Sequence, residues 1–135
     1  MQVNGSCHCG NIEYVADIDP ERVVICHCSD CQMLSGSAFR VVAFTIEDGF
    51  TLTRGTPKAY IKTAQSGRPR EQGFCEQCGS NLYATAPGAG PKVYGLRVGT
   101  IAQRHELRPK RQLWCRSAQP WLADITSLPG TAEQA

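Results

Sequence analysis

Cys7-His8-Cys9, Cys26-His27-Cys28-Ser29-Asp30-Cys31 and Cys75-Glu76-Gln77-Cys78 hold seven of the eight cysteines of this 135-residue chain, and Cys115 stands alone. Sulfurs spaced this closely meet on one metal ion more readily than they cross-link distant loops. In an extended segment residues i and i+2 face the same side, so Cys7 and Cys9 present two sulfurs while His8 turns away. The pair Cys75 and Cys78 is followed by Gly79, which accepts the positive φ a chain needs to turn around a metal. The two pairs together make a closed, structural Cys₄ zinc site. Cys26, Cys28 and Cys31 place three thiolates within six residues and cover only one side of a tetrahedral ion. Catalytic zinc sites keep three protein ligands and leave the fourth position to water or substrate, so this cluster reads as a catalytic zinc and the chain as a two-zinc protein.

A different pairing joins Cys7 and Cys9 with Cys26 and Cys28, leaving Cys31, Cys75, Cys78 and Cys115 as a second closed site and the protein purely structural. Seven small buried apolar residues is the third reading, and it leaves the clustering unexplained. Cys115 lies in Leu113-Trp114-Cys115-Arg116, where alternation puts it on the face of Leu113 as a buried core thiol. His8 and His27 stand between ligands and point away from the metals, either to solvent or behind the ligands, with His27 close enough to the open site to move protons. His105 reads as an exposed surface residue.

The elements that must position these cysteines are strands. Ile12 to Val15, Val23 to Ile25, Phe39 to Ile46, Phe50 to Leu52, Ala59 to Ile61, Asn81 to Tyr83 and Val93 to Val98 are short and rich in β-branched and aromatic residues. Asp48-Gly49, Gly55-Thr56-Pro57, Ser66-Gly67 and Pro87-Gly88 separate them as turns. Helix is expected only around Cys31 to Ser35 and Thr100 to Glu106, and the tail after Trp121 reads as a frayed end or a covering segment. The expectation is one mostly β domain of short antiparallel strands.

The net charge of +2, with acidic and basic residues interspersed, gives no stripe to neutralise nucleic-acid phosphates. No run of about 18 apolar residues is present to span a bilayer, and the N-terminal MQVNGSCHCG lacks the pattern of a secretory signal. The chain therefore reads as soluble and cytoplasmic, with reduced thiols. Arg40, Lys62, Arg68, Arg70 and Arg97 are candidates for substrate carboxylates but look scattered, as solvated side chains do. Ser35-Gly36-Ser37 either offers N–H and hydroxyl groups to a substrate or is only a turn.

The motifs G-S-C-H-C-G (Gly5 to Gly10), C-H-C-S-D-C (Cys26 to Cys31) with S-G-S-A-F after it (Ser35 to Phe39), and G-F-C-E-Q-C-G-S-N-L (Gly73 to Leu82) closely resemble the glutathione-dependent formaldehyde-activating enzyme family. That family shares its domain with centromere protein V. The resemblance runs from about Gly5 to Leu128, with Gly99-Thr100 and Pro120-Trp121 included. It implies a β-tent-like domain over residues 3–128 with a tail at 129–135, a structural zinc on Cys7, Cys9, Cys75 and Cys78, and a catalytic zinc on Cys26, Cys28 and Cys31. It also implies glutathione and formaldehyde as partners, joined as S-hydroxymethylglutathione by a reaction that runs as a carbon-sulfur lyase in reverse. A module that only binds glutathione, and a structural or chromatin-associated one, are the other classes. Gln72 stands where the family often carries Arg before Gly-Phe-Cys, which weakens the grip expected there on an anion, and Cys115 stands where an aliphatic residue is more usual.

Overall fold

Tyr14, Ala16 and Ile18 are buried while the alternate residues Glu13 and Val15 are exposed, the period-two signature of a strand with one face in a core. In the computed structural model, which describes residues 1–134, this segment begins β2 (Glu13–Cys26). The other strands are β1 (Gln2–Ser6), β3 (Arg40–Arg54), β4 (Lys58–Thr63), β5 (Pro69–Phe74), β6 (Asn81–Thr85), β7 (Gly95–Arg97) and β8 (Arg111–Leu113), and α1 (Ser29–Ser35) lies between β2 and β3. They form one sheet in the order β1-β2-β3-β7-β6-β5-β4. Neighbours along it are antiparallel, and β8 alone runs parallel, beside Val24 to Cys26 of β2. The mostly β architecture expected from the alternating apolar pattern is the one found.

The longest strands exceed what the pattern foretold, whereas the expected strand Val93 to Val98 shortens to β7 because Val98 begins a 3₁₀ turn. Ile12 to Val15 and Val23 to Ile25 feed a single strand, because β2 passes through two register shifts between Ala16 and Val23 instead of turning. Asp48-Gly49 is a bend within β3 and not a reversal. Asp48 adopts φ 53°, its N–H donates to the Lys92 carbonyl at 2.8 Å, and its carboxylate accepts the Lys92 N–H at 3.0 Å, so the kink is satisfied across the structure. β1, β5 and β8 carry too many polar residues to stand out in the apolar pattern. Thr100 to Glu106 forms short 3₁₀ turns, and Pro120–Ser127 is a 3₁₀ segment followed by exposed, irregular chain to residue 134. Ala135, the last residue of the expected tail, lies outside the described residues. None of the described helices is long and apolar enough to cross a membrane.

The core lies on one face of the sheet. Ile12, Ile18, Val23, Leu82, Leu96 and Ile101 are no more than 1% exposed there, each worth roughly 1.5–3 kcal/mol of burial. Phe50 stacks on Tyr94 at 4.5 Å and Tyr83 meets Tyr94 edge-on at 5.0 Å. The Tyr83 ring covers Gly73 so closely that a Cβ there would enter it. Cys7 and Cys75 belong to this core, whereas Cys26, Cys28 and Cys31 form a separate cluster against Trp114.

Candidate metal centres and a cationic cleft

Cys7, Cys9, Cys75 and Cys78 come together with their sulfurs all within 4.8 Å of one another. The Cys7 and Cys9 sulfurs are 3.6 Å apart and those of Cys9 and Cys75 3.8 Å. A tetrahedral zinc with Zn–S bonds of about 2.3 Å has sulfur–sulfur edges of about 3.8 Å, so the donor set fits the ion. Two turns make the site. Residues 7–10 are not extended, as the i, i+2 reading supposed, but a turn in which Gly10 N–H reaches the Cys7 carbonyl at 3.2 Å. After β5 the chain turns through Gly79 at φ 77°, with Gly79 N–H on the Cys75 carbonyl at 2.8 Å. The Ile12 amide donates to the Cys7 sulfur at 3.2 Å, a bond suited to a thiolate acceptor.

Ionisation in this group is divided. The Ser80 side chain and the backbone amides of Ser80 and Cys9 pull Cys78 down to about 5. The Asn11 amide favours the Cys9 thiolate, but burial and the three neighbouring sulfurs outweigh it and push Cys9 up to about 11. Four crowded sulfurs cannot all ionise together unless a cation lies between them.

Cys26, Cys28 and Cys31 form the second group, also within 4.8 Å, and among the described residues no fourth His, Cys, Asp or Glu joins them. Cys26 ends β2, and Cys28 is the N-cap of α1, its sulfur accepting the Cys31 N–H at 3.3 Å. Gln32 Nε2 ties α1 to the His27 carbonyl at 2.7 Å and the Ser117 carbonyl at 2.9 Å. Hydrogen bonding from Cys31 lowers Cys26, and the same bond together with burial raises Cys31. Cys115 belongs to neither group.

Beside this trio lies a cleft of about 550 Å³ lined by Cys26 and Cys31 and by Arg40, Lys62, Arg68, Arg70 and Arg97, with no Asp or Glu among its described lining. The cations that look scattered in sequence are gathered by strand register. Cys26 pairs with Arg40, Val42 with Arg97, Ala84 with both Gly95 and Gln72, and Arg70 with Lys62. Opposed residues share a face, so one side of the sheet carries sulfur at one end and guanidinium groups across its middle. Gln72 Oε1 accepts from Arg97 Nη2 at 2.6 Å and from Arg40 Nη1 at 3.4 Å. Burial pushes Arg97 down to about 9, Arg40 beside it adding to the effect, and this leaves it a cation at neutral pH. At the rim Lys62 Nζ pairs with Asp30 at 2.7 Å and Gln65 Nε2 donates to Ser29 at 3.1 Å, clasping the β4–β5 hairpin to α1.

The remaining candidates stand elsewhere. Cys115 is exposed, not a core thiol, because Trp114 takes a left-handed conformation at φ 57° that breaks the expected alternation and packs the indole on the cysteine trio. His27 is 3% exposed, so it is not solvent-facing. Its Nε2 bonds Gln112 Oε1 at 2.8 Å, and it lines a separate apolar pocket with Phe39 and Leu122 instead of the cleft. His8 and His105 are exposed. Gly36 is the left-handed C-cap of α1, with its N–H on the Met33 carbonyl and that of Ser37 on the Gln32 carbonyl, so this loop is a helix terminus whose donors are used internally.

Known proteins agree with this architecture. A Halomonas elongata protein, named provisionally as a glutathione-dependent formaldehyde-activating enzyme, is 28% identical over 91 residues, covering 64% of this chain and 58% of its own length. The chain thus matches less than two thirds of that relative. A crystal structure of a Rhodobacter sphaeroides protein superposes with a TM-score of 0.60 at 19% identity, over 81% of this chain and 98% of that one, which establishes a shared fold. The model of one family matches residues 2–117, across β1 to β8 and both cysteine groups, and by that match the chain belongs to the glutathione-dependent formaldehyde-activating enzyme family.

Proposed function

We propose that the chain is a cytoplasmic, zinc-dependent enzyme that makes or breaks a carbon-sulfur bond between a small anionic thiol and an aldehyde, with glutathione and formaldehyde, the pair in the family's name, as the leading substrates. The observation that carries this reading is the juxtaposition of a three-cysteine group lacking a fourth protein donor with a cleft whose charged lining is cationic. Cys7, Cys9, Cys75 and Cys78 hold a structural zinc and Cys26, Cys28 and Cys31 a catalytic one, within a domain spanning residues 3–128. Bound at the trio, zinc supplies a position where a fourth thiol is kept as the thiolate at neutral pH.

The chain's own residues do the rest. Cys26 and Cys31 face the cleft, so an incoming thiol approaches from its cationic side, and the positive lining concentrates anions there. Trp114 covers the trio and excludes water from it. When the thiolate attacks the aldehyde carbon, the new carbon-sulfur bond forms as the carbonyl electron pair moves onto oxygen. That alkoxide arises among guanidinium groups and takes a proton from solvent, completing S-hydroxymethylglutathione, and the reverse steps regenerate thiol and aldehyde. Exchange spectroscopy on glutathione with formaldehyde is the test, because the uncatalysed addition also occurs. The zinc-loaded protein should raise the exchange rate and Cys28→Ser should not, whereas tight glutathione binding with no rate increase would make the protein a carrier.

A further inference from the structure

We propose that Arg40, Arg97 and Gln72 form a carboxylate-binding subsite beside the three-cysteine centre, selecting thiols that also carry a carboxylate. The inference rests on the thiol reading above and adds the group that the substrate must bear. Arg40 and Arg97 are 6% and 7% exposed, yet neither is paired with an Asp or Glu among the described residues. Buried charge is costly unless an anion meets it, so two adjacent guanidinium groups without a carboxylate mark a place where one arrives. Arg40 Nη2 and Arg97 Nε are buried and have no partner among the described residues, which leaves each guanidinium a donor to offer.

Gln72 leaves the subsite its charge. A neutral amide stands here with its one carbonyl oxygen gripping both guanidinium groups. It fixes their geometry without cancelling their charge, as a glutamate would. The register sets the span. Cys26 lies directly opposite Arg40, and opposed side chains have Cβ atoms about 4.5–5.5 Å apart, so one small molecule reaches both the guanidinium pair with its carboxylate and the trio with its thiolate.

Calorimetry of the zinc-loaded full chain with 3-mercaptopropionate and with 2-mercaptoethanol tests this directly. The acid should bind at least about tenfold more tightly, the factor that about 1.4 kcal/mol represents. Arg97→Met and Arg40→Met should each remove that advantage while zinc content and 2-mercaptoethanol binding stay as in the wild type. Equal affinity of the two thiols in the wild type would overturn the subsite and leave the thiol reading standing, and binding of neither would overturn both. Variants that stay folded by circular dichroism yet lose zinc and both thiols together would make the arginines mere counter-charges to the thiolates, also overturning the subsite. The wild-type ratio decides even where a substitution unfolds the chain.

Discussion

Cys28 caps α1 through its sulfur and at the same time stands in the three-cysteine group. Serine is itself a good N-cap, so Cys28→Ser preserves the helix start while removing a thiolate. We expect that variant to stay folded and soluble, to retain one zinc and to lose activity. Cys78 differs, because its group joins the turn after β1 to the turn after β5 and a closed zinc site contributes folding free energy outright. Cys78→Ser should unfold or aggregate. Metal analysis and circular dichroism on both variants check this, and equal misfolding of the two would contradict the division into structural and catalytic centres. Cys115→Ala should leave metal content unchanged, since that thiol is exposed and outside both groups.

At the level of elements, β5 and β6 meet where Gly73 lies under the Tyr83 ring, between Gln72 of the cleft and Cys75 of the metal group. Phe50 and Tyr94 hold that ring in place. Gly73→Ala should therefore destabilise the chain by roughly 1–3 kcal/mol, the cost of overpacking a filled core, seen as a lower urea midpoint. A midpoint equal to the wild type would mean the ring moves freely. What was legible in sequence divides along the same line. The cysteine groups were readable because their ligands sit within a few residues of each other, and the strands because apolar alternation is local. The cationic cleft was not, because Arg40, Arg97, Gln72 and Lys62 meet only through the register of β3, β7, β5 and β4. Cys115 was misplaced because alternation assumes extended backbone, and Trp114 departs from it.

For the whole molecule, Tyr14 in β2 links the core to alkaline stability. Burial holds its hydroxyl at about 12 against an ordinary value of 10, even though Thr100 hydrogen-bonds it at 2.8 Å. A phenol raised in the folded state contributes its full stability below pH 10 and loses it as pH climbs through 12. The unfolded chain releases that proton first, so unfolding gains roughly 2–3 kcal/mol across this window. Chemical denaturation between pH 9 and 12 should show this slope, and Tyr14→Phe should make it shallower, with Tyr83, also pushed up to about 12 by burial, carrying part of the remainder. An unchanged slope in that variant would place the titration elsewhere.

The central claim, that the open three-cysteine centre takes an external thiolate, is tested most directly by replacing zinc with cobalt and following the sulfur-to-metal charge-transfer band. Added glutathione should strengthen the band, and its S-methyl derivative, which has no thiolate to give, should leave it unchanged. A band that ignores glutathione and every other thiol, or one already corresponding to two complete four-sulfur sites before any thiol is added, would contradict the account.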